Sequence, residues 1–289
     1  MFINPLASEF MERALIGGSL VAIICAIAGT WVVIRGMAFL GEAIGHGMLP
    51  GVALATVLGF PVMIGAGISA VVMTGVLGAM QRKGKISYDT SIGLVFVGML
   101  SLGIIIVSHS RSFATDATSM LFGDILAVST ADLTLLVVAL LLSLAIATKF
   151  HRAFVASAFD IRIAQTLGLR PGLAQIMLVA LVALAITASF RSVGTLLVIG
   201  MLLAPVVAAK VWVTRIPVIM VLAAVIGMLS VLGGLLISWY AQTAAGPSIS
   251  CLAIVFAGLS ALARRLLVRN QDAHHKTSKD LSLQRESAK

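Results

Sequence analysis

Charge is scarce in this chain. Only 11% of its 289 residues are Asp, Glu, Lys or Arg, against about a quarter in a soluble domain. That scarcity excludes an ordinary water-soluble fold. Cysteine is scarcer still: Cys25 and Cys251 both fall inside apolar runs, so neither a disulfide framework nor a thiolate metal site follows. Several functional motifs are missing as well. The one Gly-Lys pair, Gly84-Lys85, has Ala79 where a P-loop needs its first glycine and Ile86 where it needs Ser or Thr, so the chain is not expected to bind ATP through a P-loop. It has no H-E-x-x-H and no glycine-rich dinucleotide fingerprint, which disfavours a zinc protease or a nicotinamide enzyme. No arginine ladder marks a voltage sensor. The N-terminus lacks a basic stretch and carries Glu9 and Glu12 before the first apolar run. That run therefore reads as a retained span and not a cleaved signal.

What is present is hydrophobic: 60% of residues are apolar. A membrane span needs about 20 mostly apolar residues. Candidate spans are 14–34, 37–58, 61–80, 92–108, 131–148, 174–190, 193–210, 217–240 and 248–267. The expected fold is an all-α polytopic membrane protein of about nine helices. Residues 1–269 form the transmembrane domain; the polar stretch 270–289 reads as a disordered cytoplasmic tail. The polar segment 115–130, with Leu121-Phe122-Gly123-Asp124, fits a short surface or re-entrant helix.

The net charge of +9 is not a nucleic-acid signal. The basic residues alternate between loops: Arg82, Lys83 and Lys85; Lys149, Arg152, Arg162 and Arg170; Lys210 and Arg215; then Arg264, Arg265 and Arg269. The positive-inside rule puts these loops and the C-terminus in the cytoplasm. With nine spans the N-terminus then faces outward. Most of the 27 glycines lie in spans, where small residues let membrane helices pack closely.

One polar constellation interrupts the second span. Glu42 and His46 are four residues apart, which on a helix puts both on one face, one turn apart. Ionisable groups at membrane depth are costly and are candidates for function, and carboxylate plus imidazole is a ligand set for divalent first-row metals. The competing reading is a structural hydrogen-bonded pair. Pro50, four residues after His46, leaves the carbonyl of His46 without its helical donor. Glycines at 36, 41, 45, 47 and 51 remove bulk around the pair, and broken, glycine-rich helices mark transporter substrate sites. Two ligands hold a metal weakly, and a two-fold dimer would supply two of each. A faint echo of residues 47–53 recurs at 200–208, for which chance accounts equally well; Pro205 is a second helix-breaking candidate.

A second element is the stretch 154–171. Its apolar residues at 159, 163, 164 and 167 follow helical spacing, and Gly168 is placed to end the helix. A short amphipathic helix on the basic side either lies on lipid or docks on a partner protein. His274 and His275 in the tail read as solvated residues.

The stretch from Arg35 through Gly41-Glu42-Ala43-Ile44-Gly45-His46-Gly47-Met48-Leu49-Pro50-Gly51 to Ala55 resembles the signature segment of bacterial zinc/manganese ABC importer permeases. Phe122-Gly123-Asp124, Phe159-Asp160 with Ala164 and Gly168, Val193-Gly194-Thr195 with Ala204-Pro205, and Gly234 with Ala245-Gly246 extend the resemblance from about residue 10 to 268. The family usually has aspartate where this chain has Glu42. The resemblance implies a type II importer permease fold and a homodimeric permease in the bacterial cytoplasmic membrane. It also implies two copies of a cytoplasmic ABC ATPase and an extracytoplasmic metal-binding protein. Glu42 and His46 would bind the transported metal, and Asp160, Ala164 and Gly168 would belong to the helix that docks on the ATPase. The overall match is closer to the zinc-type branch, so Zn²⁺ is the expected cargo, with Mn²⁺ or Fe²⁺ as alternatives and no permanently bound cofactor. The rival readings are a stand-alone ion-coupled transporter using Glu42 and His46 as a cation relay, and a membrane enzyme using them as an acid–base pair.

Overall fold

The computed structural model describes residues 8–82, 87–108 and 123–287. Its helices are α1 (Glu9–Ile34), α2 (Ala38–Gly47), α3 (Leu49–Leu58), α4 (Val62–Arg82), α5 (Tyr88–Ser108), α6 (Thr130–Lys149), α7 (His151–Phe159), α8 (Ile161–Thr166), α9 (Pro171–Lys210), α10 (Ile216–Ala241) and α11 (Ala245–Ser287). Among the described residues there is no strand, and nine stretches are long and apolar enough to cross a membrane.

Two of those stretches lie within α9. The backbone at Gly194 is non-helical, with φ 72° and ψ 164°, a region open to glycine and strained for other residues. Contacts on either side show that the chain reverses there. Gln175 and Thr187 reach Met37 and Met48 in that order, so the first half of α9 runs in the direction of α2. Thr195 then lies beside Gly45, and Leu202 beside Gly41, so the second half runs back along α2. Pro205, expected to break a helix, sits inside this second half without interrupting it. A proline removes one hydrogen bond, which a packed membrane helix absorbs; the break falls instead at the glycine.

The second span is also split, as α2 and α3, at Met48. Pro50 supplies no backbone donor here. The carbonyl of Gly47 accepts a hydrogen bond at 2.9 Å from the hydroxyl of Ser69 on α4. The polar segment after α5 yields only a single 3-10 turn, Ile125–Ala127, capped by the Asp124 carboxylate; residues 109–122 lie outside those described.

The core forms where α1 packs on the α9 hairpin: Ile24, Cys25, Trp31, Leu178, Val182 and Val198 are all buried. Backbones approach closely at glycines. A methyl group on Gly51 would meet the carbonyl of Gly65, and one on Gly65 the carbonyl of Gly51. Gly51→Ala is therefore expected to push α3 from α4 and cost about 1–3 kcal/mol. Thermal unfolding in detergent should shift down, whereas Gly75→Ala, with open space at its Cβ, should leave it unchanged.

One end of the bundle is basic. Arg35 donates to the side chain of Gln175 at the start of α9, Trp31 meets His151 and Phe154, and Arg264 donates to the carbonyl of Val211 after α9. Lys149, Arg152, Arg170, Lys210 and Arg215 lie at helix ends on this side. The backbone differs from expectation beyond residue 269. No break separates a tail, and α11 continues helically to Ser287, because after Pro247 the segment contains no proline and only Gly258 to interrupt it.

Candidate metal site and coupling element

Gly36, with φ 66°, ends α1 and lets α2 turn back beside the α9 hairpin. The two faces of α2 then do different work. Gly41 and Gly45 face Leu202, Thr195 and Ile199 of α9, and Gly47 faces Met73 of α4. The glycines expected to clear space around the ligands instead seat the back of the helix against its neighbours. Glu42 and His46 lie on the other face. The Nε2 atom of His46 is 2.9 Å from Oε1 of Glu42, as the four-residue spacing requires. In the single chain the His46 side chain is 26% exposed and that of Glu42 41%. The imidazole also meets the ring of Phe96 on α5 edge-on, at 6.0 Å. No group of three or more His, Cys, Asp or Glu capable of holding a metal occurs among the described residues. One copy thus presents an oxygen and a nitrogen ligand, half-open within the second span, with no third ligand of these types beside them among the described residues.

At the basic end the single amphipathic helix expected within residues 154–171 is two helices. Asp160 is the break: its backbone is extended, at φ −157° and ψ 130°, and its carboxylate accepts from the Arg162 N–H at 2.7 Å. It thereby caps α8, as a short acidic side chain at this position does. Gly168 ends α8 with φ 70°. Its N–H donates to the Gln165 carbonyl, and the Leu169 N–H to the Ala164 carbonyl, the paired closure of a Schellman motif. Ala164 is buried, while Phe159 is 82% and Leu167 64% exposed. Both flank a groove of about 600 Å³ that His151, Arg152, Val155, Ala156 and Leu169 complete. Asp160, Ala164 and Gly168 are thus brought into one small element that presents two large apolar side chains outward. Sequence reasoning missed the ring of Phe96 beside His46, which sits on another helix and carries no local signal. Phe39, three residues before Glu42, was detectable by helical spacing.

The described residues thus combine nine helical stretches long and apolar enough to cross a membrane with a half-open carboxylate–imidazole pair inside one of them. The ABC 3 transport family matches residues 7–264, and the chain belongs to that family. It is 34% identical over 252 residues to the manganese transport system membrane protein MntC of Halalkalibacterium halodurans, covering 87% of this chain and 86% of that one. It is 32% identical over 255 residues to the chelated iron transport system membrane protein YfeD of Yersinia pestis, covering 88% and 85%. Among solved structures, PsaBC from Streptococcus pneumoniae in complex with Fab matches with a TM-score of 0.78 at 31% identity, over 90% of this chain and 94% of that chain. An inward-facing metal-chelate type ABC transporter matches with a TM-score of 0.71 at 13% identity, over 87% of this chain and 85% of that chain; that likeness is of fold alone. The chain is therefore a multi-pass permease of a metal ABC importer and not an enzyme. Its ATPase is a separate subunit, and a substrate-binding protein is its other implied partner.

Proposed function

We propose that this permease imports a divalent metal of the manganese–iron range as a two-fold homodimer, with Glu42 and His46 of both copies forming the transport site. The observation that carries the reading is the exposure of this pair within the second span. A charged side chain facing lipid is costly, up to about 2.5–3.5 kcal/mol at the centre of a span on insertion scales. A second copy facing α2 would remove that cost and complete an O₂N₂ ligand set. Carboxylates suit Mn²⁺ and imidazoles suit iron and zinc. Zinc was the expectation from sequence; the relatives named for manganese and for iron favour those metals instead. In this reading an extracytoplasmic protein releases metal to the pair. Two ATPase copies dock at the basic, cytoplasmic end through the Asp160–Gly168 element, and their cycle re-orients the site. The C-terminus is cytoplasmic.

An elemental profile of cells with and without this chain tests the cargo. The proposal expects a deficit in manganese or iron, and a deficit confined to zinc would return the zinc reading. The lack of a P-loop leads to a further expectation. The purified chain alone should hydrolyse no ATP and should co-purify with a nucleotide-binding subunit. Metal uptake that survives loss of every ATPase partner would favour the ion-coupled alternative.

A further inference from the structure

The face of α2 that carries Glu42 and His46 carries one more side chain at the same spacing. Phe39 precedes Glu42 by three residues and His46 by seven, which aligns all three along one stripe. It lies between the metal pair and the basic end, since α2 starts at Ala38 beside Arg35 and Gln175. Its ring is large and apolar, yet 46% exposed in the single chain. It meets the Phe96 ring edge-on, at 5.5 Å and 76°. Phe96 in turn meets the His46 imidazole at 6.0 Å and 64°. One ring on α5 therefore touches both the ligand and the aromatic residue below it.

We propose that Phe39 and Phe96 form the hydrophobic closure of the transport site on its basic-end side. The inference rests on the reading of Glu42 and His46 as that site. Apolar constrictions block ions by excluding water, and a hydrated divalent cation leaving the pair toward the basic end meets two rings with no oxygen or nitrogen to replace its waters. Edge-on ring contacts are weak and non-covalent, so relative movement of α2 and α5 parts them. Because Phe96 also touches His46, a shift of the imidazole is felt at the closure. Phe39 and Phe96 are positioning residues here, not ligands.

The test uses the permease with its ATPase in proteoliposomes, with radiolabelled Mn²⁺ as probe. Without ATP, Phe39→Ala is expected to raise passive Mn²⁺ flux about tenfold or more over wild type and to lower net ATP-driven accumulation. Phe96→Ala should leak in the same direction, and Phe39→Leu, which keeps apolar bulk, should stay tight. A purely packing role would lower protein yield without opening a passive path. A Glu42→Ala/His46→Ala variant in the same vesicles separates the two claims. It should lose ATP-driven uptake and remain tight. Surviving ATP-driven uptake in that variant overturns the site reading and the closure with it. Lost uptake there, with tight Phe39→Ala and Phe96→Ala vesicles, overturns the closure alone.

Discussion

His46→Ala and Glu42→Ala should each reduce metal uptake to a tenth of wild type or less. Removing even an outer partner of a metal ligand typically costs about 10–100-fold in affinity or activity, and here a ligand itself is removed from a set of two per chain. Protein abundance should stay near wild type. The pair is half-exposed and joined by one contact at 2.9 Å, and a single hydrogen bond contributes only about 0.5–1.5 kcal/mol. Glu42→Asp should retain substantial uptake, because it keeps the carboxylate on the same face and restores the residue the family pattern usually carries there. Uptake measured against membrane level for each variant separates lost ligation from lost protein.

Gly168→Val should insert normally yet lose most ATPase association or stimulation. At φ 70° a residue with a Cβ is strained by about 1–2 kcal/mol, and a β-branched one by more. Nothing lies within 4 Å of a Cβ built at this position, so the effect comes from the backbone and not from collision. Straining the closure that joins Leu169 to Ala164 loosens the element that holds Phe159 and Leu167 outward. Asparagine, which tolerates the left-handed region better, should have a milder effect. The measurement is ATPase stimulation and transport in reconstituted complexes. Wild-type coupling by Gly168→Val would mean that this element does not transmit ATPase movement.

Much of this was legible because hydrophobic length and helical spacing are local signals. The nine spans among the described residues follow from apolar runs, and the Glu42–His46 contact follows from a four-residue interval. Gly168 is legible as a helix terminus because glycine is free to adopt the positive φ that closes α8 there. The failures are equally physical. Pro205 reads as a breaker, yet the reversal sits at Gly194, against which Gly123 from another part of the chain packs closely. Glycines 41, 45 and 47 read as clearance for ligands, because sequence does not reveal which face of α2 meets α9. The split of the proposed coupling element at Asp160 is hidden in the sequence by apolar spacing that runs straight through it. Residues 270–287 read as a tail because they lack apolar periodicity, which helical propensity alone does not require.

The central claim is that the paired carboxylate and imidazole are the path of the metal. The most direct test is ATP-driven uptake of radiolabelled Mn²⁺ into proteoliposomes holding the ATPase complex of the Glu42→Ala/His46→Ala variant, with the reconstituted amount and basal ATPase activity measured alongside. The account predicts assembled complexes with measurable ATPase activity and no uptake above that of empty vesicles. Uptake at the wild-type rate would contradict it and remove both residues from the translocation site.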